Sequence, residues 1–430
     1  MEETYTLNQI WTRFIANMAA LEAFSKEIGQ MADVEDSYQR KLVLENLAEL
    51  FNENVSEIEK EIDSLDLPSD DAEIEYTPEQ LQKWKNEFKE FAAPEATESM
   101  GNWIKNNPRK VPQLYNLVQM LKQPSAHGKI LRRGVLIMLT SFFEILLSDI
   151  IHFYYFKYPN ALPKPEEKAI NLAELRKMGS VSIENIEQYF LIQEVERVIR
   201  GGFYKTLKYF SDNLHIDLRN LTTFQKQITE ITQRRNLLVH NDGVVNEQYL
   251  ANVSSEYVVD LGIEKGCRLN VTKNYLLRSF DAVYLFSLML TQFCWRKWEK
   301  DDELIDKSIL EFMVYALSRE RYTLVIDSVV FIRKLKLEKS VYRFVVINHA
   351  IAERELGDER KVHSLVSKCD WLPMTIDVQI ALSVLRKNYE ETYRLLKEAK
   401  DSNEIINIMP EWPLFKPIKH TSEFIEIFDE

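Results

Sequence analysis

A chain of 430 residues is longer than one hydrophobic core usually organises, so two or three domains are expected. Its 45% hydrophobic and 28% charged residues are those of a globular protein, and 11 Gly and 13 Pro are too few for the turns of an all-β fold. A net charge of −13 disfavours a large surface that coats DNA nonspecifically, and three distant cysteines with no CxxC spacing exclude a paired disulfide framework and argue against a structural zinc site.

The opening MEETYTLNQIW has neither a basic n-region nor an apolar core, so no secretory leader is expected, and a reducing, cytoplasmic location is. Residues 7–62 carry apolar side chains every three or four positions and read as helix. The acidic stretch from Asp66 to Pro78, with two prolines, reads as an exposed connector, and Thr77–Pro78–Glu79–Gln80 as a capped helix start with Pro at the first helical position. No catalytic constellation is visible across 1–122, and packing, dimerisation or contact with a partner are the roles open to it. Charge divides unevenly along the chain: residues 1–121 sum to −13, 122–300 to +5 and 301–430 to −5. Because fields fade beyond a Debye length of about 8–10 Å, the whole-chain figure does not exclude nucleic acid from the basic middle segment.

A break at Lys122–Lys129 precedes the central segment, 123–300. The run VLIMLTSFFEILLSDIIHFYY (Val135–Tyr155) is long enough to span a membrane, but Glu144, Asp149 and His152 would each be costly in hydrocarbon. A buried bundle helix, with no membrane contact, is the better expectation. The segment closes with a second apolar helix, Leu276–Trp298. Between them Gly243–Leu269 is loop-rich, and EKGCRLNV predicts a small hairpin or extended loop. The last segment, 301–430, reads as stacked helix pairs that resemble tetratricopeptide units, with small residues such as Ala350 and Ala381, a turn at Gly357–Asp358, and WPLFKPIKHTSEFIEIF as a cap. Plain helical packing is the alternative. The predicted fold class is therefore all-α: a central bundle with a loop or hairpin insertion between an N-terminal helical region and a C-terminal helical-repeat region.

One helix stands out. Over Leu221–His240, the residues Leu221, Phe224, Ile228, Ile231, Arg235 and Leu238 follow alternating steps of three and four and define one seam. Arg235 then occupies an apolar position, and a guanidinium that cannot lose its proton must find an anion or solvent. Asn236 and His240 are four apart and share a face. Asn241–Asp242–Gly243 ends the helix, which gathers the three polar groups near an exposed tip. On the earlier apolar helix Ser141, Glu144, Ser148 and His152 form a polar stripe, and Glu144 is a natural partner for Arg235. A structural account remains open, with Arg235 merely salt-bridged and His240 capping the helix carbonyls, but it leaves Asn236 unexplained.

SFFEILLSDIIHFYY, RRNLLVHNDGVVNEQYL and the following G–C–R–L–N–V–x–x–x–Y–L pattern (Gly266–Leu276) resemble the HEPN domains, in particular the RiboL-PSP type, over residues 127–298. The family signature is an Arg, a polar residue and a His four to six positions after the Arg, matched by Arg235, Asn236 and His240. The resemblance implies a metal-independent endoribonuclease without cofactor, acting as a homodimer whose two motifs meet in one composite cleft. His240 would be the general acid/base, Arg235 would neutralise the scissile phosphate, Asn236 would orient phosphate or imidazole, and Glu144 would position Arg235. It further implies 2′,3′-cyclic phosphate products, inert DNA, and a toxin or phage-defence role restrained by a regulatory protein partner. The alternatives are a non-catalytic dimerisation scaffold or adaptor, or an RNA-binding module that does not cut. No phosphate loop, HExxH or GxSxG motif competes, and the seven histidines show no metal-ligand spacing. Arg132–Arg133 and the basic run Arg197–Lys208 are expected on solvated faces rather than on RNA, and HFYYFKY (His152–Tyr158) in the core.

Overall fold

The computed structural model describes residues 6–51, 73–76, 126–162, 182–401 and 410–428, with the single positions 56 and 79. The first described residues form a capping box. Thr6 Oγ1 accepts from the Gln9 amide (3.2 Å) and Gln9 Oε1 accepts from the Thr6 amide (2.9 Å), which satisfies two of the free donors at the start of α1 (Leu7–Phe51). At 1.5 Å per residue this single 45-residue helix runs about 67 Å. Its first half buries Leu7, Ile10, Trp11, Phe14, Met18 and Leu21, whereas Phe24, Ile28, Met31, Val34, Tyr38 and Leu42 recur every three or four residues and stay exposed. Most of the predicted connector, the break residues 122–125 and the Thr77–Gln80 helix start apart from Glu79 lie outside the described residues. One described part of the connector departs from the expectation of an exposed loop: Ile74–Tyr76 is a strand, β1.

Helix α2 (Ala126–Lys157) begins inside the expected break, so that Ala126–Lys129 belong to the helix. It is long and apolar enough to cross a membrane by length and composition, but half of its most apolar window is buried. It packs along α1 and also against α3 (Ile183–Arg200) and α5 (Thr222–His240). Leu136, Leu139, Phe143, Leu146, Leu147, Ile150 and Ile151 lie in the core, each worth about 1.5–3 kcal/mol of transfer free energy. Its charged residues find partners: Asp149 pairs with Arg13 of α1, and Asp36 of α1 accepts from His127 Nδ1 (3.0 Å) and from the Gly128 amide (3.0 Å). Phe153, Tyr154 and Tyr155 of the aromatic run are buried as expected, while Phe156 and Tyr158 are exposed. Ser182 caps α3, and α4 (Phe203–Asp212) follows after Gly201–Gly202.

The insertion after α5 differs from a hairpin. It contains two short helices, α6 (Glu247–Asn252) and α7 (Ser255–Asp260), each started by a side chain that accepts from a first-turn amide: Asn246 for α6 and Ser254 for α7. Strand β2 (Arg268–Leu269) pairs antiparallel with β1, far upstream in the chain, with Ile74 opposite Leu269. Its other edge meets residues 243–245, where Val245 N donates to Cys267 O (2.8 Å) and Leu269 N to Gly243 O (2.9 Å). Ile74 packs against a cluster of Leu237, Val245, Tyr249, Val253, Ile263, Cys267 and Leu269. A hairpin needs its partner strand a turn away; here the partner comes from the connector.

The fold is all-α apart from this two-stranded sheet among the described residues. The chain forms two compact units, 1–287 and 288–430, divided within α8 (Lys273–Trp298), and the N-terminal and central segments share the first. In the second unit α9 (Leu304–Ser318), α10 (Tyr322–Ile332), α11 (Lys339–Glu355), α12 (Glu359–Lys368), α13 (Ile376–Leu385) and α14 (Tyr389–Asp401) pack as successive helices, with Ala350 and Ala381 fully buried where neighbours approach. The final segment covers them: Arg354 donates to the carbonyls of Pro413 and Leu414 (both 3.0 Å), and Leu414, Phe415, Phe424 and Ile427 are buried. The loop before α13 is fastened by Arg343, which donates to the carbonyls of Asp370 (2.9 Å), Leu372 and Pro373 (3.1 Å). Arg343→Ala would orphan three carbonyls at once, and a loss of about 2–4 kcal/mol is expected in the urea unfolding of this unit. An unchanged midpoint would show that solvent replaces the guanidinium freely.

Candidate active site

The buried seam of α5 is rotated from the predicted one. Leu221, Ile228, Ile231, Arg234 and Leu237 line it, and Arg234, not Arg235, is the charge at its centre, with 0% of its side chain exposed against 24% for Arg235. From residue 228 the seam advances in steps of three, which carries it one position back from the alternating pattern. The Arg234 guanidinium is met on all sides. Its Nε donates to Glu230 Oε1 one turn earlier (2.7 Å), Nη1 to the Asn270 carbonyl (2.8 Å) and Nη2 to Glu73 Oε2 (3.4 Å), and its plane stacks on the Tyr275 ring at 3.8 Å. Glu230 also accepts from Tyr249 Oη (2.8 Å) and Tyr275 Oη (2.7 Å). Burial first, then the Glu230 charge, hold the Tyr249 hydroxyl well above the usual phenol range; burial raises that of Tyr275 too, against an opposing pull from Arg234. Both therefore stay protonated and donate. The Glu230/Arg234 spacing of four was visible in the sequence; Glu73 and the tyrosines carried no local signal.

Freed from the seam, Arg235 faces α2. Its Nη2 approaches Glu144 Oε2 at 3.4 Å, its Nη1 donates to Asn236 Oδ1 (3.1 Å), and its buried Nε has no partner among the described residues. Burial raises the Glu144 carboxyl above its ordinary range, and the Arg235 charge only partly opposes this. The rest of the α2 stripe does not converge here: Ser141 Oγ bonds back to the Ile137 carbonyl (2.9 Å), and the His152 imidazole, lowered by burial and raised by Asp149, belongs to the Asp149–Arg13 neighbourhood. Asn236 and His240 line one open cleft of about 330 Å³ together with Gln233, Leu237, Asn246 and Tyr249. The His240 side chain is exposed, and none of the described residues bonds to its imidazole. Arg235, Asn236 and His240 thus occupy one end of α5, with a lightly held guanidinium that faces Glu144 of α2 on one side of Asn236 and, on the other, an imidazole without a partner among the described residues.

What fixes this end is the turn that stops the helix. The Leu237 carbonyl accepts from the amides of both Asn241 (2.8 Å) and Gly243 (3.0 Å). Asp242 (φ 48°) and Gly243 (φ 80°) then take left-handed backbone conformations. A Cβ on Gly243 would sit 2.8 Å from the Leu269 carbonyl oxygen. Arg133 of α2 (2.8 Å) and Arg268 of β2 both pair with Asp242. Burial pushes its carboxyl up, but the two guanidiniums outweigh that and hold it below the ordinary carboxylate value. The expectation that Arg132–Arg133 lie on a solvated face is therefore corrected. Arg132 is buried and donates to the Val271 carbonyl (2.7 Å), and Arg133 clamps the turn. Both arginines are used to hold the 240–271 insertion against α2. In the other basic run the exposed Arg197 and Arg200 of α3 pair with the buried Glu194 and with Glu196. Among the described residues no group of His, Cys, Asp and Glu is placed to hold a metal ion.

Gly243→Ala is expected to destabilise the first unit by about 1–3 kcal/mol in denaturant unfolding, because both the left-handed backbone and the Leu269 carbonyl oppose a Cβ. Glu144 gives a pH-dependent counterpart. An acid raised in the folded state contributes no cost below the ordinary carboxylate range and an increasing cost as pH rises through its raised pKa. Glu144→Gln should flatten that decline, with a melting temperature at about pH 7 no lower than wild type; a clear fall would mean that the Arg235 pair outweighs burial. Compared with protein families, curated proteins and solved structures, the chain matches no family model, no curated protein and no solved structure.

Proposed function

We propose that this protein is a metal-independent endoribonuclease of the HEPN type, in which Arg235 grips the scissile phosphate and His240 moves the protons. The observation that carries this reading is that the last two turns of α5 hold a lightly committed guanidinium facing α2 and an exposed imidazole, without a partner among the described residues, that borders an open cleft shared with Asn236. A structural arginine would be saturated, as Arg234 next to it is. A capping histidine would bond the last carbonyls of the helix, and His240 bonds nothing described.

In the proposed reaction the ribose 2′-hydroxyl gives its proton to an imidazole as its oxygen attacks phosphorus. The bond from phosphorus to the 5′ oxygen breaks, and that oxygen takes a proton from a second imidazole. The products are a 2′,3′-cyclic phosphate and a 5′-hydroxyl, with atoms and charge balanced and no metal required. Arg235 opposes the charge that builds on the phosphoryl oxygens, Asn236 orients phosphate or imidazole, and Glu144 limits where the guanidinium can point. Two imidazoles call for two chains. Exposed Met138 and Ile145 on α2 and Val239 beside His240 supply apolar surface next to the site for a second copy. Such an enzyme fits a toxin or phage-defence effector in the cytoplasm, restrained by a regulatory protein partner until triggered. The apolar seam exposed on α1 favours a second reading, a helical scaffold or adaptor whose work is association rather than chemistry, with or without RNA bound.

Labelled RNA incubated with the purified protein in EDTA separates the two. Cutting that survives the chelator, leaves cyclic phosphate ends and spares DNA is expected of wild type, and His240→Ala or Arg235→Ala should each reduce it by about 10²–10⁴-fold while keeping the fold. Intact RNA under conditions where wild-type expression is toxic and His240→Ala expression is equally toxic would overturn the enzyme and leave the scaffold.

A further inference from the structure

Beneath the candidate site lies a second set of polar groups to which nothing above assigns a role in the reaction. Arg234 and Glu230 are fully buried, and the carboxylate that completes their surroundings comes from outside the bundle. Glu73, the residue before β1, accepts from Arg234 Nη2 (3.4 Å), from Tyr257 Oη (3.4 Å) and from Arg278, and its carbonyl accepts from the Asn270 amide (2.8 Å). Its side chain is only 15% exposed, and Ile74 beside it packs on the cluster that contains Leu237 and Tyr249. Leu237 and Tyr249 are also walls of the cleft that holds Asn236 and His240.

We propose that Glu73 is a positioning residue for the candidate active site: by closing the buried Arg234–Glu230–Tyr249 network from the connector strand, it sets the last turn of α5 and the Tyr249 wall against which the substrate lies. This rests on the reading of Arg235 and His240 as catalytic groups, but the geometry of the network is independent of it. Each link is short. Arg234 is the covalent neighbour of Arg235, Glu230 bridges Arg234 to Tyr249, and Tyr249 shares the cleft with His240. The guanidinium carries one charge between two carboxylates, so removing Glu73 leaves Glu230 as its sole acidic partner and Nη2 with only the Tyr257 hydroxyl (3.4 Å) to accept from it, in a site where the Arg234 side chain reaches no solvent. Without the strand, β2 also loses one of its two partners, and β2 carries the Leu269 carbonyl that confronts Gly243 and the Arg268 guanidinium that holds Asp242. The N-terminal segment, which is followed by this strand, is thereby wired to the site through one carboxylate.

Arg234→Ala would strand a buried carboxylate and could unfold the unit, so the informative changes are at the rim. Full-length Glu73→Gln and Glu73→Ala, with Arg278→Ala as a control that spares Arg234, are compared by hydrogen exchange and by RNA cleavage. Amides of 235–243 are expected to exchange about tenfold faster in Glu73→Ala, and less so in Glu73→Gln, while those of α2 and α8 stay at wild-type rates. Turnover should fall with the same order of variants and KM should change little, since the phosphate-binding Arg235 is retained. Wild-type protection over 235–243 in Glu73→Ala, or uniform loss across the unit with turnover per folded molecule unchanged, would overturn the assignment. The exchange measurement decides this even if wild type cuts no RNA, an outcome that counts against the proposed function alone.

Discussion

A guanidinium enclosed by protein has no route to neutrality, and everything around Arg234 is arranged to meet that demand. Glu230 supplies the charge from the same helix, the Asn270 carbonyl and Tyr275 ring cover two of its faces, and Glu73 arrives from the connector. These partners come from α5, the residue before β1, the residue after β2 and α8, so a single buried charge draws together parts of the chain as far apart as Glu73 and Tyr275. Apolar burial supplies most of the stability of the first unit, but it does not specify which strand lies where. Hydrogen-bond valence does, because an acceptor offered in the wrong register would leave a donor orphaned.

Two adjacent arginines divide the work of the helix that carries them. Arg234 is saturated and sets the orientation of α5; Arg235 is left with one long carboxylate contact and one bond to its neighbour. A residue that must grip a substrate cannot also be fully spent on structure, and placing the structural charge next door lets the helix be fixed without using the functional one. The same economy recurs at the turn, where Arg133 and Arg268 share Asp242 and so define the position of His240 without touching it.

The helical character of the chain, the long apolar helix with its embedded acid and the end of α5 at Asn241–Gly243 were legible in the sequence because each depends on residues within a few turns of one another. Arg235, Asn236 and His240 were singled out for the same reason and lie in the last two turns of α5, while Glu144 approaches Arg235 from α2. The wrong arginine was assigned to the buried seam, since the alternating step of three and four assumes an unstrained apolar face, and only the contacts show the run of threes from Ile228 to Leu237. β1 escaped notice because its partner, Arg268–Leu269, is far off in the chain and its three residues, Ile-Glu-Tyr, sit in an acidic stretch that reads as solvent-loving. Arg132 and Arg133 resemble a surface pair in one dimension; only the folded insertion supplies the carbonyl and carboxylate that draw them in.

The entry of β1 into the first unit also bears on how far the bundle is a portable module. A cut at the connector, where composition alone would place a boundary, separates a buried cation from a carboxylate that touches it and leaves β2 with an open edge. A recombination event that moved the site-bearing helices to another protein would have to carry along a few residues from far upstream, or replace them with an equivalent anion. The bundle's separability is therefore limited by one upstream carboxylate and one short strand more than its acidic linking sequence suggests.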